Sequence, residues 1–153
     1  MQLSKVIAHI RDREYMSGVE RTKSRVKATG EVFTPTPLVR EVLDNMPPEL
    51  FTDPTKTFLD NSCGDGQFLG EVLIRKMENG STFEQALSSI YGVDLMKDNI
   101  VECRKRLLCG RTDLEHIVVR NIVCHDAMTY DYSFNGTDKN QEDLTWDELF
   151  EFL

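Results

Sequence analysis

The sequence predicts an α/β fold, a truncated doubly wound parallel sheet with flanking helices. Three short apolar segments, at residues 57–62, 90–95 and 116–126, alternate with segments of helical periodicity. A glycine-bearing turn directly joins the first of these strands to the helix after it. Strands that alternate with helices at this spacing are typical of a parallel sheet with right-handed crossovers.

The N-terminal third predicts two helices around a polar linker. Residues 4–16 form the first predicted helix, and residues 17–30 read as the linker. The second predicted helix lies in "PLVREVLDNM" and ends at the double proline of "PPELF". Its apolar stripe is expected to consist of Leu38, Val42, Leu43 and Met46.

The central part of the sequence also predicts alternating strands and helices. "TFLDNS" is a short buried strand, and "GQFLGEVLIRKMENG" is a helix ended by Gly80. "STFEQALSS" shows the Ser81-to-Glu84 spacing of a capping box, and "IYGVDL" is the second strand. "DNIVECRKRLL" is a helix, and "HIVVRNIVCHD" is the third strand. The inward side chains of the two helices are predicted to be Phe68, Leu69, Val72, Leu73 and Met77, then Ile100, Cys103, Leu107 and Leu108.

Length and composition fit one soluble domain. The chain has 153 residues, of which 40% are hydrophobic and 29% charged. Its apolar runs are shorter than the roughly 18 residues that a membrane span requires, and the N-terminus lacks a signal-peptide pattern, so we expect a cytoplasmic protein. The four cysteines form no C-x-x-C pair, which favours buried thiols over a disulfide framework or a metal site.

Charge is distributed unevenly along the chain. The net charge is −8, but residues 1–40 hold eight Lys and Arg against four Asp and Glu, and residues 41–153 hold ten against twenty-two. An acidic body is a poor partner for a phosphate backbone, so a DNA contact would use the basic N-terminal segment. The cations there are Arg21, Lys23, Arg25 and Lys27, and the alternative interpretation is a solvated basic tail.

The stretch "DNSCGDGQFL" predicts a ligand-binding loop. It places Gly64 and Gly66 between the first strand and the following helix, where backbone N–H groups and the positive end of the helix dipole meet. Glycines would let a ligand approach the chain closely, and Asp60 would accept hydrogen bonds from an amino group. The alternative is that the glycines only form the turn.

Two further carboxylates strengthen the ligand hypothesis. Asp94 ends the second predicted strand and Asp126 ends the third, so both join Asp60 at the edge where ligands bind in such sheets. A dinucleotide motif would require a third glycine at position 69, which is Leu. A nucleoside that carries an amino acid therefore fits better than a dinucleotide.

Four motifs in order resemble the class I S-adenosylmethionine (SAM)-dependent methyltransferases, in particular the cofactor-binding half of DNA adenine methyltransferases. They are "GEVFTPTPLV", "FLDNSCGDGQFL", "YGVDLMKDN" and "NIVCHDAMTYDY". The resemblance implies a truncated Rossmann-like sheet and SAM as cofactor. It divides the chain into a basic N-terminal helix and linker (1–29), a SAM-binding domain (30–132) and an acidic C-terminal tail or helix (133–153).

The resemblance also implies roles for individual residues. One group would surround the methionine part of SAM, the next would bind its ribose and flank its adenine, and the last would contact the adenine amino edge. These residues are Phe33, Thr34, Asp60, Ser62, Gly64 and Gly66, then Asp94, Leu95 and Met96, then Asp126 and Ala127.

The family's catalytic motif, in which two prolines precede an aromatic residue, is absent after residue 132, so we assign no catalytic residue. The resemblance therefore implies DNA adenine methylation only if a partner chain supplies that motif. Two alternatives are a regulatory SAM-binding module and a small enzyme that consumes SAM without a DNA acceptor. The three predicted strands leave one sheet edge open, and we expect a partner chain, a second copy or the C-terminal "LTWDELFEFL" to cover it.

Overall fold

A computed structural model describes residues 1–12 and 34–138 of the chain. Its elements follow in an alternating order, with helices between the strands. They are α1 (Leu3–Arg11), α2 (Thr36–Asp44), α3 (Glu49–Thr52), β1 (Phe58–Asp60), α4 (Gln67–Glu78), α5 (Phe83–Ser88), β2 (Ile90–Asp94), α6 (Lys97–Leu108), a 3-10 turn (Thr112–Leu114), α7 (Glu115–Asn121) and β3 (Ile122–Cys124).

The three strands form one parallel sheet in the order β1-β2-β3. Leu59 lies opposite Tyr91 across the first pair, and Val93 lies opposite Val123 across the second. The prediction of a mixed α/β fold with a parallel sheet and flanking helices is confirmed. Because the strands are parallel, their carboxyl ends share one edge of the sheet.

The two faces of the sheet are covered differently in the described part of the chain. Ile90, Ile122 and Cys124 face the helices, and their side chains belong to the main hydrophobic core. Val93 and Val123 point to the opposite face, since successive strand residues alternate. There they pack with Tyr130, Ala127 and Phe134 in a small separate cluster.

Helix α1 is part of the main core. Val6 and Ile10 are fully buried. Arg11 donates two hydrogen bonds to the carboxylate of Glu71 on α4, at 2.9 and 2.6 Å. The hydrogen bond to Glu71 raises the pKa of Arg11. The predicted helix over 4–16 thus corresponds to Leu3–Arg11, and residues 13–16 lie outside the described ranges.

The predicted inner face of α2 was partly wrong. Val39 and Leu43 are buried, whereas Leu38 is 48% exposed and Val42 39% exposed. The helix packs against α4, and its buried residues Val39 and Leu43 are four positions apart on one face, so Leu38 and Val42 lie toward the outside. Met46 packs at the margin of the core as predicted.

Two local predictions were also wrong. Residues 116–121 belong to α7 and only Ile122–Cys124 form the third strand, because a short apolar run fits a buried helix as well as a strand. The capping box of α5 uses Thr82 and Gln85 instead. Gln85 N donates to Thr82 Oγ1 at 3.1 Å, and Thr82 N donates to Gln85 Oε1 at 2.9 Å.

No helix in the described residues has the length and apolarity to cross a bilayer.

Candidate functional site

The glycine loop between β1 and α4 has the backbone that its sequence predicts. Gly64 and Gly66 adopt φ angles of +53° and +96°, a region that side chains disfavour. Gly66 is the N-cap of α4, and its N–H donates to Cys63 O at 2.9 Å. A Cβ on Gly66 would lie 3.1 Å from Cys103 Sγ, whereas one on Gly64 would meet nothing within 4 Å. The loop therefore packs tightly at Gly66 and leaves open space beside Gly64.

Asp94 joins the end of β2 to this loop. Its Oδ1 accepts a hydrogen bond from Gly64 N at 3.2 Å. Its Oδ2 accepts from Met96 N at 3.0 Å and from the buried Asn99 Nδ2 at 3.1 Å. A carboxylate accepts about four hydrogen bonds, so these three contacts leave capacity for about one more donor.

Asp60 lies at the end of β1 beside Asp94. Its Oδ1 accepts a hydrogen bond from Ser62 N at 3.0 Å, which closes the turn into the loop. Burial raises the pKa of Asp60; the hydrogen bond from Ser62 opposes that rise, and the negative charge of Asp94 adds to it. Asp60 and Asp94 thus form two neighbouring acceptors at the sheet edge.

Asp126 follows β3 and is exposed. Its side chain accepts a hydrogen bond from Met128 N at 2.9 Å, and its backbone oxygen accepts from Thr129 and Tyr130 N–H groups at 3.1 and 3.0 Å. Ala127 O accepts from the Tyr132 hydroxyl at 2.7 Å. Asp126 therefore organises the turn after β3 at the same edge of the sheet as the other two carboxylates.

The other predicted site residues fall into three situations. Leu95 is 60% exposed beyond the end of β2, and Met96 is half-buried beside it. Thr34 O accepts a hydrogen bond from Gln67 Nε2 at 2.6 Å, which places Thr34 next to the start of α4. Phe33 lies outside the described residues, as do the four cations of the basic segment.

Sequence reasoning missed a buried polar network behind the glycine loop. Arg106 donates to Gln67 Oε1 at 2.7 Å and to Ile10 O at 2.9 Å. Its guanidinium also lies 3.6 Å from Asp65 Oδ1, and both side chains are almost completely buried. The network connects α1, α6 and the loop, and through Gln67 it reaches Thr34. The sequence signal for this network was Arg106 itself, a charged residue directly before Leu107, which was predicted to face inward.

Two buried thiols, Cys63 in the loop and Cys109 at the end of α6, have pKa values above their usual range. A hydrogen bond with the Cys103 thiol, together with burial, raises the pKa of Cys63 well above its usual value. Burial raises the pKa of Cys109 to about 12. Because the thiolate is the nucleophilic form, neither side chain suits nucleophilic catalysis.

Residues 1–12 and 34–138 contain no group of three or more His, Cys, Asp or Glu placed to hold a metal ion.

His125 connects the site edge to the segment that follows it. One ring nitrogen lies 2.9 Å from Asp126 O and the other 2.9 Å from Asp138 Oδ1. Burial lowers the pKa of His125, but the oxygens of Asp126 and Asp138 outweigh that effect and raise it overall. Both ring nitrogens thus face acceptors, which favours the doubly protonated imidazolium.

The geometry combines open space beside the half-buried Gly64 with carboxylates at the ends of three parallel strands. Such an edge suits a ligand with amino and hydroxyl donors.

Comparison of the chain with protein-family models, with curated proteins and with solved structures finds no significant match.

Proposed function

We propose that this chain is a SAM-binding protein of the class I methyltransferase type, with a truncated Rossmann-like sheet whose described helices lie on one face. The observation that carries the proposal is the contact between Asp94 and Gly64. It brings the carboxylate expected to bind ribose directly beside the loop expected to bind the amino-acid part of the cofactor. One SAM molecule could therefore contact both.

The same arrangement supports specific roles around the cofactor. The open space beside Gly64 and the carboxylate of Asp60 would receive the methionine part, and Asp94 has acceptor capacity for about one ribose hydroxyl. Leu95 is exposed where an adenine ring would lie, and Asp126 stands at the next strand end. The described residues thus offer a separate contact for each part of SAM.

We further propose that methyl transfer to DNA adenine requires a partner chain. The sequence contains no two-proline motif followed by an aromatic residue, so a second chain would supply it and cover the outer edge of β1. The enzyme would orient the methyl donor and the acceptor, and the target base would leave the helix stack. DNA would contact the basic segment around residues 21–27 in a cytoplasmic protein.

A second candidate function is a non-catalytic SAM-binding module that regulates or binds another protein. The missing catalytic motif favours it, because cofactor binding does not require that motif. A neighbouring reading frame that encodes the motif would support the enzyme, and cofactor binding without any such partner would support the module.

Calorimetry with SAM tests the cofactor proposal. We expect Asp94→Ala to lose about 2 to 4 kcal/mol of binding free energy, at least a tenfold weaker affinity, since the charge-assisted hydrogen bond to the ribose is lost and Gly64 loses its anchor. Asp126→Ala should weaken binding by about 1 kcal/mol. Asp113→Ala is the matched control, because that carboxylate pairs with Arg111 away from the site. Absence of heat and of a thermal shift at millimolar SAM would refute the proposal.

A radiolabelled methyl-transfer assay tests the need for a partner. The isolated chain should transfer no methyl group to DNA, because none of its residues matches the motif that holds a flipped adenine. Robust transfer by the pure chain would contradict the partner requirement and leave the cofactor proposal intact.

A further inference from the structure

Helix α1 packs against the first turns of α4, next to the glycine loop. A Cβ on Gly70 would lie 2.7 Å from Ile10 Cγ2, so the missing side chain at Gly70 lets α1 approach the backbone of α4 closely. At the next position, Glu71 accepts the two hydrogen bonds from Arg11. Because α4 begins at Gln67, these contacts hold α1 to the end of α4 that carries the loop.

Arg106 on α6 connects the last turn of α1 with the loop. Its Nε donates to Ile10 O at 2.9 Å, which satisfies one of the carbonyls that the end of a helix leaves without a partner inside the helix. Its guanidinium lies 3.6 Å from Asp65 Oδ1, and these two side chains are only 2% and 3% exposed. Burying a carboxylate costs free energy unless a partner compensates, so Arg106 stabilises the buried position of Asp65 in the loop.

The same guanidinium reaches a second part of the candidate site. Its Nη2 donates to Gln67 Oε1 at 2.7 Å, and Gln67 Nε2 donates to Thr34 O at 2.6 Å. Thr34 and the loop are the two segments that we assign to the methionine part of SAM. A guanidinium presents its N–H groups in a rigid planar fork, so one side chain can hold α1, the loop and Gln67 in fixed relative positions.

We propose that Arg106 is a positioning residue for the candidate ligand site and that the packing of α1 regulates the site through it. Packed α1 holds Arg106, and Arg106 holds Asp65 and Gln67 where the loop and Thr34 can contact one ligand. Ligand binding and the packing of α1 then stabilise each other, because coupling between two sites is reciprocal. The effect on ligand affinity rests on the proposed function, whereas the positioning of the loop requires no ligand.

Amide hydrogen exchange of the ligand-free, full-length chain tests the positioning role. Gly66 N, which donates to Cys63 O, reports on the loop, and Phe58 N, which donates to Ser89 O in the sheet, is the internal reference. Arg106→Lys keeps the positive charge but loses the fork. We expect the Gly66 amide to exchange at least about tenfold faster relative to Phe58 in this variant.

A substitution on α1 tests the regulatory role. Val6 is fully buried one helical turn before Ile10, so Val6→Ala loosens α1 and leaves Arg106 intact. Gly66 should again exchange faster relative to Phe58, and adding Arg106→Lys should increase the ratio little further, because both changes act through the same contacts. Leu87→Ala is the matched control: it also removes buried apolar volume, but Leu87 lies just before the amino end of β2, opposite the loop, and should leave the ratio unchanged.

Calorimetry with SAM completes the test. Val6→Ala and Arg106→Lys should each weaken the affinity several-fold, and Leu87→Ala should leave it unchanged. An unaltered ratio of Gly66 to Phe58 exchange in Arg106→Lys would overturn the positioning role. A ratio that changes in Arg106→Lys but not in Val6→Ala would overturn the regulatory role of α1. A wild-type chain that binds no SAM would refute the proposed function, and the exchange ratios would still decide how the loop is positioned.

Discussion

The two faces of the sheet are covered by different means. On the helical face, every described helix contributes to one continuous core, and a buried network around Arg106 ties α1, α6 and the glycine loop together. On the other face, Val93 and Val123 are covered by Tyr130 and the irregular segment that follows it. The difference predicts which face of the sheet loses more stability when its residues are substituted.

The core beneath the helices should give the largest mutational effect. Leu73 is fully buried on α4, so Leu73→Ala should lower the free energy of unfolding by about 3 kcal/mol through lost burial and a residual cavity. Leu59→Ala on the opposite face should cost less than about 1 kcal/mol, because Leu59 is half-exposed. Urea denaturation measures both. Equal losses would show that the two faces contribute alike.

The glycine loop should give an intermediate effect. Gly66→Ala should destabilise the chain by about 1 to 2 kcal/mol, because it combines a left-handed backbone with a contact to Cys103 Sγ. Gly80→Ala is the control for backbone strain alone, since Gly80 has φ +104° and open space around it. Thermal unfolding of the two variants separates the contact from the strain. Identical shifts would mean that the contact contributes nothing.

The smallest effect concerns pH and lies on the second face. Because the pKa of His125 is raised in the folded chain, its ion pair with Asp138 stabilises the fold fully below the unfolded pKa of about 6.5. That contribution is lost as pH rises through the folded pKa. Asp138→Asn should therefore cost more stability at pH 5.5 than at pH 8.5, and an NMR titration should place the His125 midpoint lower in the variant. Equal costs at both pH values would contradict this assignment.

The sequence predicted the elements near the site better than those at the margins. The strands Phe58–Asp60 and Ile90–Asp94 lie within the segments 57–62 and 90–95 that were predicted as strands from their short apolar runs. Residues 116–121 were misassigned because a short apolar run also fits a buried helix, and α7 packs against α5 and α6. For α2, periodicity indicated an apolar stripe, and only its contact with α4 selected Val39 and Leu43 for burial.

The candidate site also combines positions that local rules predict with contacts that only the folded structure sets. The positions of Gly64, Gly66, Asp60 and Asp94 follow from local rules, since left-handed turns require glycine and parallel strands share their carboxyl edge. The hydrogen bonds that Asp94 accepts from Gly64 and Asn99 join residues 30 and 5 positions apart, so they depend on the folded structure.

The sequence by itself determined the alternation of strands and helices, the glycine loop and the carboxylates at the strand ends, because each depends on residues close together in the chain. Only the tertiary structure decided that Arg106 lies behind the loop and that α1 completes the core. It also decided that Leu59 lies between two cavities, at an edge of β1 that pairs with no other described strand. These features join segments up to 96 positions apart, and the packing of whole elements, rather than local propensity, sets such contacts.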